Sequence, residues 1–300
     1  MEPLSLKTRR IVSLLFFALF ALITPIVVLY ASGYRLDGFS LVSNGGVYLS
    51  APISGTSIHL NGEVIGRTSL FSKSFFLDNI EPGSYVVQGR KDGYHTWSKD
   101  IVVESQLVTN ASMFVVPQPI EMRLVQVEQD LEIHATTTNA TSTTQYVSER
   151  EYIRLQEAFT VSTTTDNDVN TVASSTQHDT AEPSLPVAES DGAALVINNG
   201  NLLLKWTRNT APPSSFCTRP SLCVSHFFLE EGKKTVTHAQ FFAGGVLYQT
   251  EHSGVFLVEA DIRQPRLLVQ VATAPQAVFR VIDGSLYIKD GELFYRVSGF

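Results

Sequence analysis

The chain has 300 residues, a formal net charge of −7 at pH 7 and a calculated isoelectric point near 5.5. Hydrophobic residues make up 44% of the sequence and charged residues 17%. A nucleic-acid-binding protein needs a basic surface to neutralise phosphates, so this charge balance argues against a nucleic-acid partner. The length is sufficient for two small domains in addition to an anchor and a linker.

Residues 11–30 form an apolar segment, IVSLLFFALFALITPIVVLY, and no charged residue occurs between Arg10 and Arg35. An α-helix of about 20 apolar residues spans the hydrocarbon core of a bilayer, which is about 30 Å thick. We therefore predict a transmembrane helix over these residues.

The basic residues that precede this segment predict its orientation. Lys7, Arg9 and Arg10 lie before the helix, so the positive-inside rule predicts that residues 1–10 form a cytoplasmic tail and that the rest is exported. The alternative is a cleaved signal peptide, but the best cleavage site, residues 29–31, has a bulky Leu where a small residue is needed. We favour a single-pass protein of the cell membrane, with the bulk of the chain on the extracytoplasmic side.

Residues 46–117 alternate short apolar runs with turn signals, a pattern typical of an all-β sandwich. Asn61-Gly62 predicts a type I′ hairpin, because both central positions of that turn need a positive φ. Pro82-Gly83 and Asp92-Gly93 mark two further turns.

Several short motifs in this segment follow the order and spacing of one known family. They are Pro52-Ile53-Ser54-Gly55-Thr56, Asn61-Gly62, Gly66-Arg67-Thr68, Pro82-Gly83-Ser84-Tyr85, and Gly93-Tyr94 with Trp97. The segment resembles a PEGA domain, and the resemblance covers about a quarter of the chain. It departs from the family pattern by one extra residue in the first motif, Thr56 in place of Ala, and Ser69 in place of Pro. The resemblance implies a small β-sandwich module of bacterial and archaeal surface proteins, without catalytic residues.

Tyr94 and Trp97 are the candidate ligand-binding residues, because aromatic faces can stack on carbohydrate rings. The alternative is that these two side chains fill the core of the sandwich or support a turn. Trp97, Ile101 and Val103 share one parity in the predicted strand. We favour the core interpretation.

Residues 118–190 are rich in Thr and Ser and poor in aromatic residues, so we predict a flexible linker. Residues 149–159 interrupt it with a helical pattern, in which Tyr152, Leu155 and Phe159 fall at i, i+3 and i+7. A transient or docking helix is expected there.

Residues 192–300 return to a β pattern, with turn signals at Asn199-Gly200, Asp283-Gly284 and Asp290-Gly291. The spacing of the predicted strands is similar to that of β-propeller blades. A closed propeller needs 4 to 8 blades, whereas this segment supplies about two to three. We therefore favour an open antiparallel β-meander over a propeller that closes by assembly with another chain.

Cys217 and Cys223 are the only cysteines. Outside the cytosol a disulfide is the natural interpretation, and closing so short a loop stabilises the fold by about 2 kcal/mol in the entropic description. Free thiols are an alternative, and a metal site would need more ligands than the nearby His226. We predict no metal site and no cofactor.

The sequence contains no recognisable catalytic motif. Glu251, His252, Glu259 and Asp261 could provide an acid and a base, but a solvated strand edge carries the same residue types. The predicted function is therefore non-catalytic: attachment to the cell envelope, or presentation of a β-surface that binds a protein or glycan. The expected partners are the membrane and an envelope polymer or surface protein. The alternative is an extracellular enzyme with its site in the C-terminal β region.

Overall fold

The computed structural model of the chain describes residues 6–31, 34–37, 40–127, 144–160, 186–232 and 234–300. Its described part is mostly β-structure and follows one apolar N-terminal helix. The prediction of an all-β chain behind an N-terminal helix is confirmed at this level.

The N-terminal helix, α1, runs over Leu6–Ala31 and contains the predicted apolar segment. Within it, Thr8–Ala31 has a mean hydropathy of 2.8 and no buried residue in its most apolar window, so it is long and apolar enough to cross a membrane. The Thr24 hydroxyl donates to the Phe20 carbonyl oxygen at 2.7 Å, which satisfies this polar side chain within the helix beside Pro25.

The segment after α1 contains nine strands. They are β1 (Tyr34–Asp37), β2 (Ser40–Ser43), β3 (Gly45–Ser50), β4 (Ser57–Leu60), β5 (Glu63–Arg67), β6 (Ser74–Ile80), β7 (Gly83–Arg90), β8 (Trp97–Val103) and β9 (Val108–Ser112). Strands β1 and β2 form a hairpin, and the others form two sheets with the orders β6-β3-β9 and β5-β4-β7-β8. We call residues 45–117 the N-terminal unit.

Local sequence signals explain much of the N-terminal unit. Asn61 and Gly62 have φ values of 49° and 90° and connect β4 to β5, as predicted for this hairpin. Trp97, Ile101 and Val103 are all buried, which confirms their common face on β8. Val47 and Leu49 of the other sheet belong to the same core cluster.

Residues 120–300, which we call the C-terminal unit, contain in their described part fifteen strands, one α-helix and a short 3-10 helix at Ser214–Phe216. The elements are β10 (Glu121–Val127), β11 (Thr144–Val147), α2 (Glu149–Thr160), β12 (Ala188–Ser190), β13 (Ala193–Asn198), β14 (Asn201–Trp206), β15 (Cys217–Arg219), β16 (Leu222–Cys223), β17 (His226–Glu230), β18 (Val236–Phe242), β19 (Gly245–Thr250), β20 (Gly254–Glu259), β21 (Leu268–Ala272), β22 (Val278–Ile282), β23 (Ser285–Asp290) and β24 (Leu293–Ser298).

These strands form three larger C-terminal sheets and one short hairpin, β15-β16. The first sheet has the order β12-β13-β14-β17, the second β18-β19-β20-β21, and the third β11-β10-β24-β23-β22. The turns at Asn199-Gly200 and Asp283-Gly284 have positive φ values at both positions and connect β13 to β14 and β22 to β23, as predicted.

The two central strands of the second sheet, β19 and β20, are buried on both faces because their side chains alternate between two core clusters. Val246 and Tyr248 of β19 share a cluster with Leu204 of the first sheet. Leu247, between them, shares a cluster with Leu286 of the third sheet and with the core of the N-terminal unit. A strand buried on both faces reads as a continuous apolar run, which is what β20 shows.

The predicted flexible linker over residues 118–190 is wrong for part of its length. Strand β10 pairs with β24, from Glu121 opposite Ser298 to Leu124 opposite Tyr295, and β12 pairs with β13. The Thr/Ser-rich residues 128–143 and 161–185 lie outside the described residues. They connect elements of one unit rather than two separate units. The average composition of residues 118–190 is that of a linker, although the short strand β10 within them belongs to the third sheet.

The helix predicted at residues 149–159 is confirmed as α2, and it is docked. Ser148 precedes it and accepts a hydrogen bond from the Glu151 amide at 3.4 Å, as an N-cap does. Leu155 is buried against Phe294 of the third sheet. Tyr152 and Phe159 pack on the same Phe294 ring, with centroids 5.6 and 5.4 Å away. The predicted apolar face therefore covers the outer side of the third sheet.

Candidate functional site

The junction between the N-terminal and C-terminal units is the first candidate site, because it gathers most of the buried charge of the described chain. The two units share one hydrophobic cluster, in which Phe114 and Val116 meet Phe242 and Leu247. A methyl group on Gly245 would lie 2.6 Å from Cζ of Phe114, so only glycine permits this close approach.

A buried ion pair crosses the junction. The Lys99 Nζ lies 2.7 Å from Oε2 of Glu259, and these side chains are 0% and 4% exposed. Lys99 also donates to the Arg263 and Pro265 carbonyl oxygens at 3.1 Å each. Its ammonium therefore has a partner for each of its three donors.

The Glu259 carboxylate is also fully engaged. Trp97 Nε1 donates to Oε1 at 2.7 Å, and the Leu267 amide donates to Oε2 at 3.2 Å. Burial raises the pKa of Glu259 above its ordinary value, although Lys99 and these donors oppose the shift. Because every charged atom of the pair is occupied by the protein itself, this arrangement positions the two units against each other.

A second charged pair extends the junction. Arg263 Nε donates to Asp261 Oδ1 at 2.9 Å, and Nη2 donates to Oδ2 at 2.5 Å. The remaining nitrogen, Nη1, donates across the junction to the Asn110 carbonyl oxygen at 2.8 Å. The Asp100 amide donates to the Gln264 carbonyl oxygen, so the backbone at residues 263–265 also contacts the edge of β8.

The two cysteines lie at a third contact between the units. The structure joins Cys217 and Cys223 in a disulfide that closes the β15-β16 hairpin. At the tip of this hairpin, the Ser221 amide and hydroxyl donate to the Glu104 carboxylate at 2.8 and 2.7 Å. These hydrogen bonds lower the pKa of Glu104 below its ordinary value, with a smaller contribution from Arg219.

A cleft of about 800 Å³ opens beside this junction. Its lining includes Met113 and Phe114 from the N-terminal unit and Glu259, Asp261 and Arg263 from the C-terminal unit. These three charged side chains already bond one another or the N-terminal unit, so the rest of the lining consists of apolar side chains, Asp191, serine hydroxyls and backbone groups.

The predicted stacking pair, Tyr94 and Trp97, does not form an exposed aromatic platform. Trp97 is 2% exposed, so both faces of its indole ring are covered, and its N–H is used by Glu259. Tyr94 is half-buried, and Lys91 Nζ lies 5.2 Å from its ring centroid. The stacking hypothesis is therefore wrong for Trp97, which fills the core as the favoured alternative states.

The four candidate acid-base residues are not brought together. Glu251 and His252 lie on an exposed turn, 3.8 Å from each other, with side chains 55% and 82% exposed. Glu259 and Asp261 lie at or beyond the other end of β20, roughly 16 Å away for a strand of this length, and both are held in ion pairs. Within the described residues, no group of three or more His, Cys, Asp or Glu side chains could hold a metal ion.

The sequence does not identify the junction residues Lys99, Glu259 and Arg263. It does contain one signal of a buried charge. Lys99 has the same parity on β8 as Trp97 and Ile101, which places a charged residue on the apolar face. A charge at an inward position implies a buried partner.

The fold defines a class of protein: a mostly β chain with one N-terminal helix long and apolar enough to cross a membrane. A comparison of the chain with protein-family models finds no match, and a comparison with curated proteins also finds none.

Proposed function

We propose that the chain is a non-catalytic, single-pass membrane protein whose extracytoplasmic β-structure attaches to the cell envelope or presents a binding surface. The apolar helix supports the anchor, and the basic residues at positions 7, 9 and 10 support a cytoplasmic N-terminus. The expected partner is an envelope polymer or a surface protein.

Finer features of the fold support the same class. The two sheets of the N-terminal unit share one core, which is consistent with a β-sandwich and with the PEGA-like motifs. The three C-terminal sheets are mainly four-stranded and antiparallel, which is consistent with blade-like modules.

The observation that carries the proposal is the buried junction of Lys99 and Glu259. A linker would let the second unit move independently, whereas a desolvated ion pair and a shared apolar cluster hold both units in one orientation. The exported part therefore acts as a rigid body next to the membrane. No second function is proposed, because the candidate acid-base residues lie apart.

The orientation can be tested by cysteine labelling in intact cells. Ser72→Cys places a thiol on an exposed turn of the N-terminal unit, and Ser5→Cys places one before α1. A membrane-impermeant maleimide should label the first variant in intact cells and the second only after permeabilisation. The reverse labelling pattern would overturn the proposed orientation. Loss of an N-terminal tag from the membrane fraction would show that the apolar segment is a cleaved signal peptide and not an anchor.

Envelope attachment is tested separately by sedimentation. The detergent-solubilised full chain is mixed with isolated cell-envelope fragments and centrifuged, with an unrelated acidic membrane protein as the control. Specific pelleting supports attachment. A chain that stays in the supernatant contradicts it and leaves presentation of a binding surface as the function to test.

A further inference from the structure

A second cleft lies between α2 and the third C-terminal sheet, and it shares no lining residue with the cleft at the junction. Its volume is about 700 Å³. The polar groups that line it include Arg150 and Arg154 of α2, Ser285 and Tyr287 of β23, and Arg296 of β24. This volume is within the range of pockets that hold small organic ligands.

In the part of the chain that the structure describes, the three arginines of this cleft lack carboxylate partners. Within the described residues, no ion pair within 4 Å involves Arg150, Arg154 or Arg296. Arg296 Nη2 donates to the Ser285 hydroxyl at 3.0 Å, which leaves its other N–H groups available to a ligand. Arg150 and Arg154 lie at i and i+4 on α2, where like charges repel and an anion between them would relieve the repulsion.

The cleft is positive on an acidic protein. Its lining holds three arginines against two carboxylates, Glu151 and Asp283, which gives a formal charge of +1. The chain as a whole carries −7. The positive charge is therefore a local property of this cleft and not a consequence of the overall composition.

The hydroxyl groups of the cleft add to its donor character. Burial raises the pKa of Tyr287, and the charges of Glu151 and Asp283 raise it further against the opposing effect of Arg296. The phenol therefore stays protonated at neutral pH. Ile153 and Ile282 provide apolar surface beside these donors.

We propose that this cleft binds an organic phosphate ester, with the phosphate held between Arg150 and Arg154 on one wall and Arg296 on the other. Guanidinium groups pair with phosphate oxygens through two parallel hydrogen bonds. A tetrahedral phosphate offers oxygens to both walls, whereas a carboxylate presents two oxygens in a single plane. The volume exceeds that of a bare phosphate, so the organic part lies against Ile153 and Ile282.

The ester has two sources, which separate probes distinguish. Glycerol 3-phosphate represents a soluble monoester, and glycerophosphoglycerol represents the diester of an envelope polymer or lipid headgroup. Each is titrated by isothermal calorimetry into the full chain in dodecyl maltoside, without phosphate in the buffer. Binding of either probe supports the site, and the probe that binds more tightly identifies the source.

Arginine variants assign the binding to this cleft. Arg154→Gln and Arg296→Gln should each weaken binding roughly tenfold, because each removes a charge-assisted contact. Arg90→Gln, at an exposed arginine of β7 in the N-terminal unit, should leave the affinity unchanged. Arg154 is an exposed helical residue, so its variant should fold even if Arg296→Gln does not.

Three results would overturn the proposal. They are no binding of either probe at millimolar concentration, equal binding by the wild type and Arg154→Gln, and binding of citrate as tight as that of the phosphate esters. None of these results bears on the membrane orientation or on envelope attachment, which are tested by labelling and sedimentation.

Discussion

Lys99 of the N-terminal unit and Glu259 of the C-terminal unit form an ion pair across 160 positions of sequence, with 2.7 Å between Nζ and Oε2. Both side chains are almost completely buried, and both have additional hydrogen-bond partners. Removal of one partner would leave an uncompensated buried charge. The pair therefore couples the stability of the two units.

Lys99→Met should destabilise the chain by about 3–5 kcal/mol, whereas the double variant Lys99→Met/Glu259→Leu should recover part of this loss. Urea unfolding of the detergent-solubilised chain measures both. The two tryptophans of the sequence, Trp97 at the junction and Trp206 in the C-terminal unit, make the unfolding visible by fluorescence. The exposed Lys73→Met is the matched control, and an equal effect of both single lysine substitutions would contradict the prediction.

Gly245→Ala should destabilise the junction by about 1–3 kcal/mol, because the added methyl group would overlap the Phe114 ring and the Val258 carbonyl oxygen. Gly83→Ala is the control, since its methyl group would meet Tyr85 at an ordinary 3.6 Å. Thermal unfolding followed by circular dichroism compares the two. If both variants melt at the same temperature, Phe114 does not pack on Gly245 as described.

The Cys217→Ser/Cys223→Ser variant should lose about 2 kcal/mol of unfolding free energy, because it opens the short loop of the β15-β16 hairpin. Reductant should destabilise the wild type by the same amount and leave the variant unchanged. Urea midpoints with and without dithiothreitol measure this. If the urea midpoint of the wild type does not change when the disulfide is fully reduced, the disulfide does not stabilise the fold.

His238 should make the stability depend on pH. Burial lowers its pKa below the ordinary 6.5, with a further contribution from Arg280, so the folded protein holds the ring neutral. This contribution is complete above pH 6.5 and is lost as the pH falls through the lowered value. His238→Gln should flatten the stability profile between about pH 6.5 and 5, whereas the exposed His252→Gln should not. Urea midpoints of the wild type and both variants, measured across that pH range, test this prediction.

Leu155→Ala should release α2 from the third sheet, because Leu155 is the buried residue of its apolar face. Hydrogen exchange over residues 149–160 should become faster, and the exposed Ile153→Ala should leave it unchanged. Equal protection in both variants would mean that Tyr152 and Phe159 alone hold the helix on Phe294.

The tertiary structure was needed wherever an element depends on a distant partner. The sequence of β10 has the composition of neither a linker nor a strong strand, and it becomes a strand because β24, more than 150 residues later, supplies its hydrogen bonds. None of the turn signals named for residues 192–300 lies next to strand β17, and its place in the first sheet comes from its pairing with β14. The position of Lys99 on the inward face of β8 predicts a buried partner, but it does not identify Glu259 as that partner.

The sequence by itself determined the apolar helix, the glycine turns and the alternation of buried residues along strands such as β8. These features depend on neighbours within a few residues, so hydropathy, backbone sterics and side-chain period are sufficient to predict them. Only the tertiary structure decided that the two β-units form one body, that α2 covers the third sheet, and that three arginines line one cleft. Each of these features depends on contacts between residues far apart in the chain. The free energy that stabilises such a contact comes from both segments together, so neither segment predicts it alone.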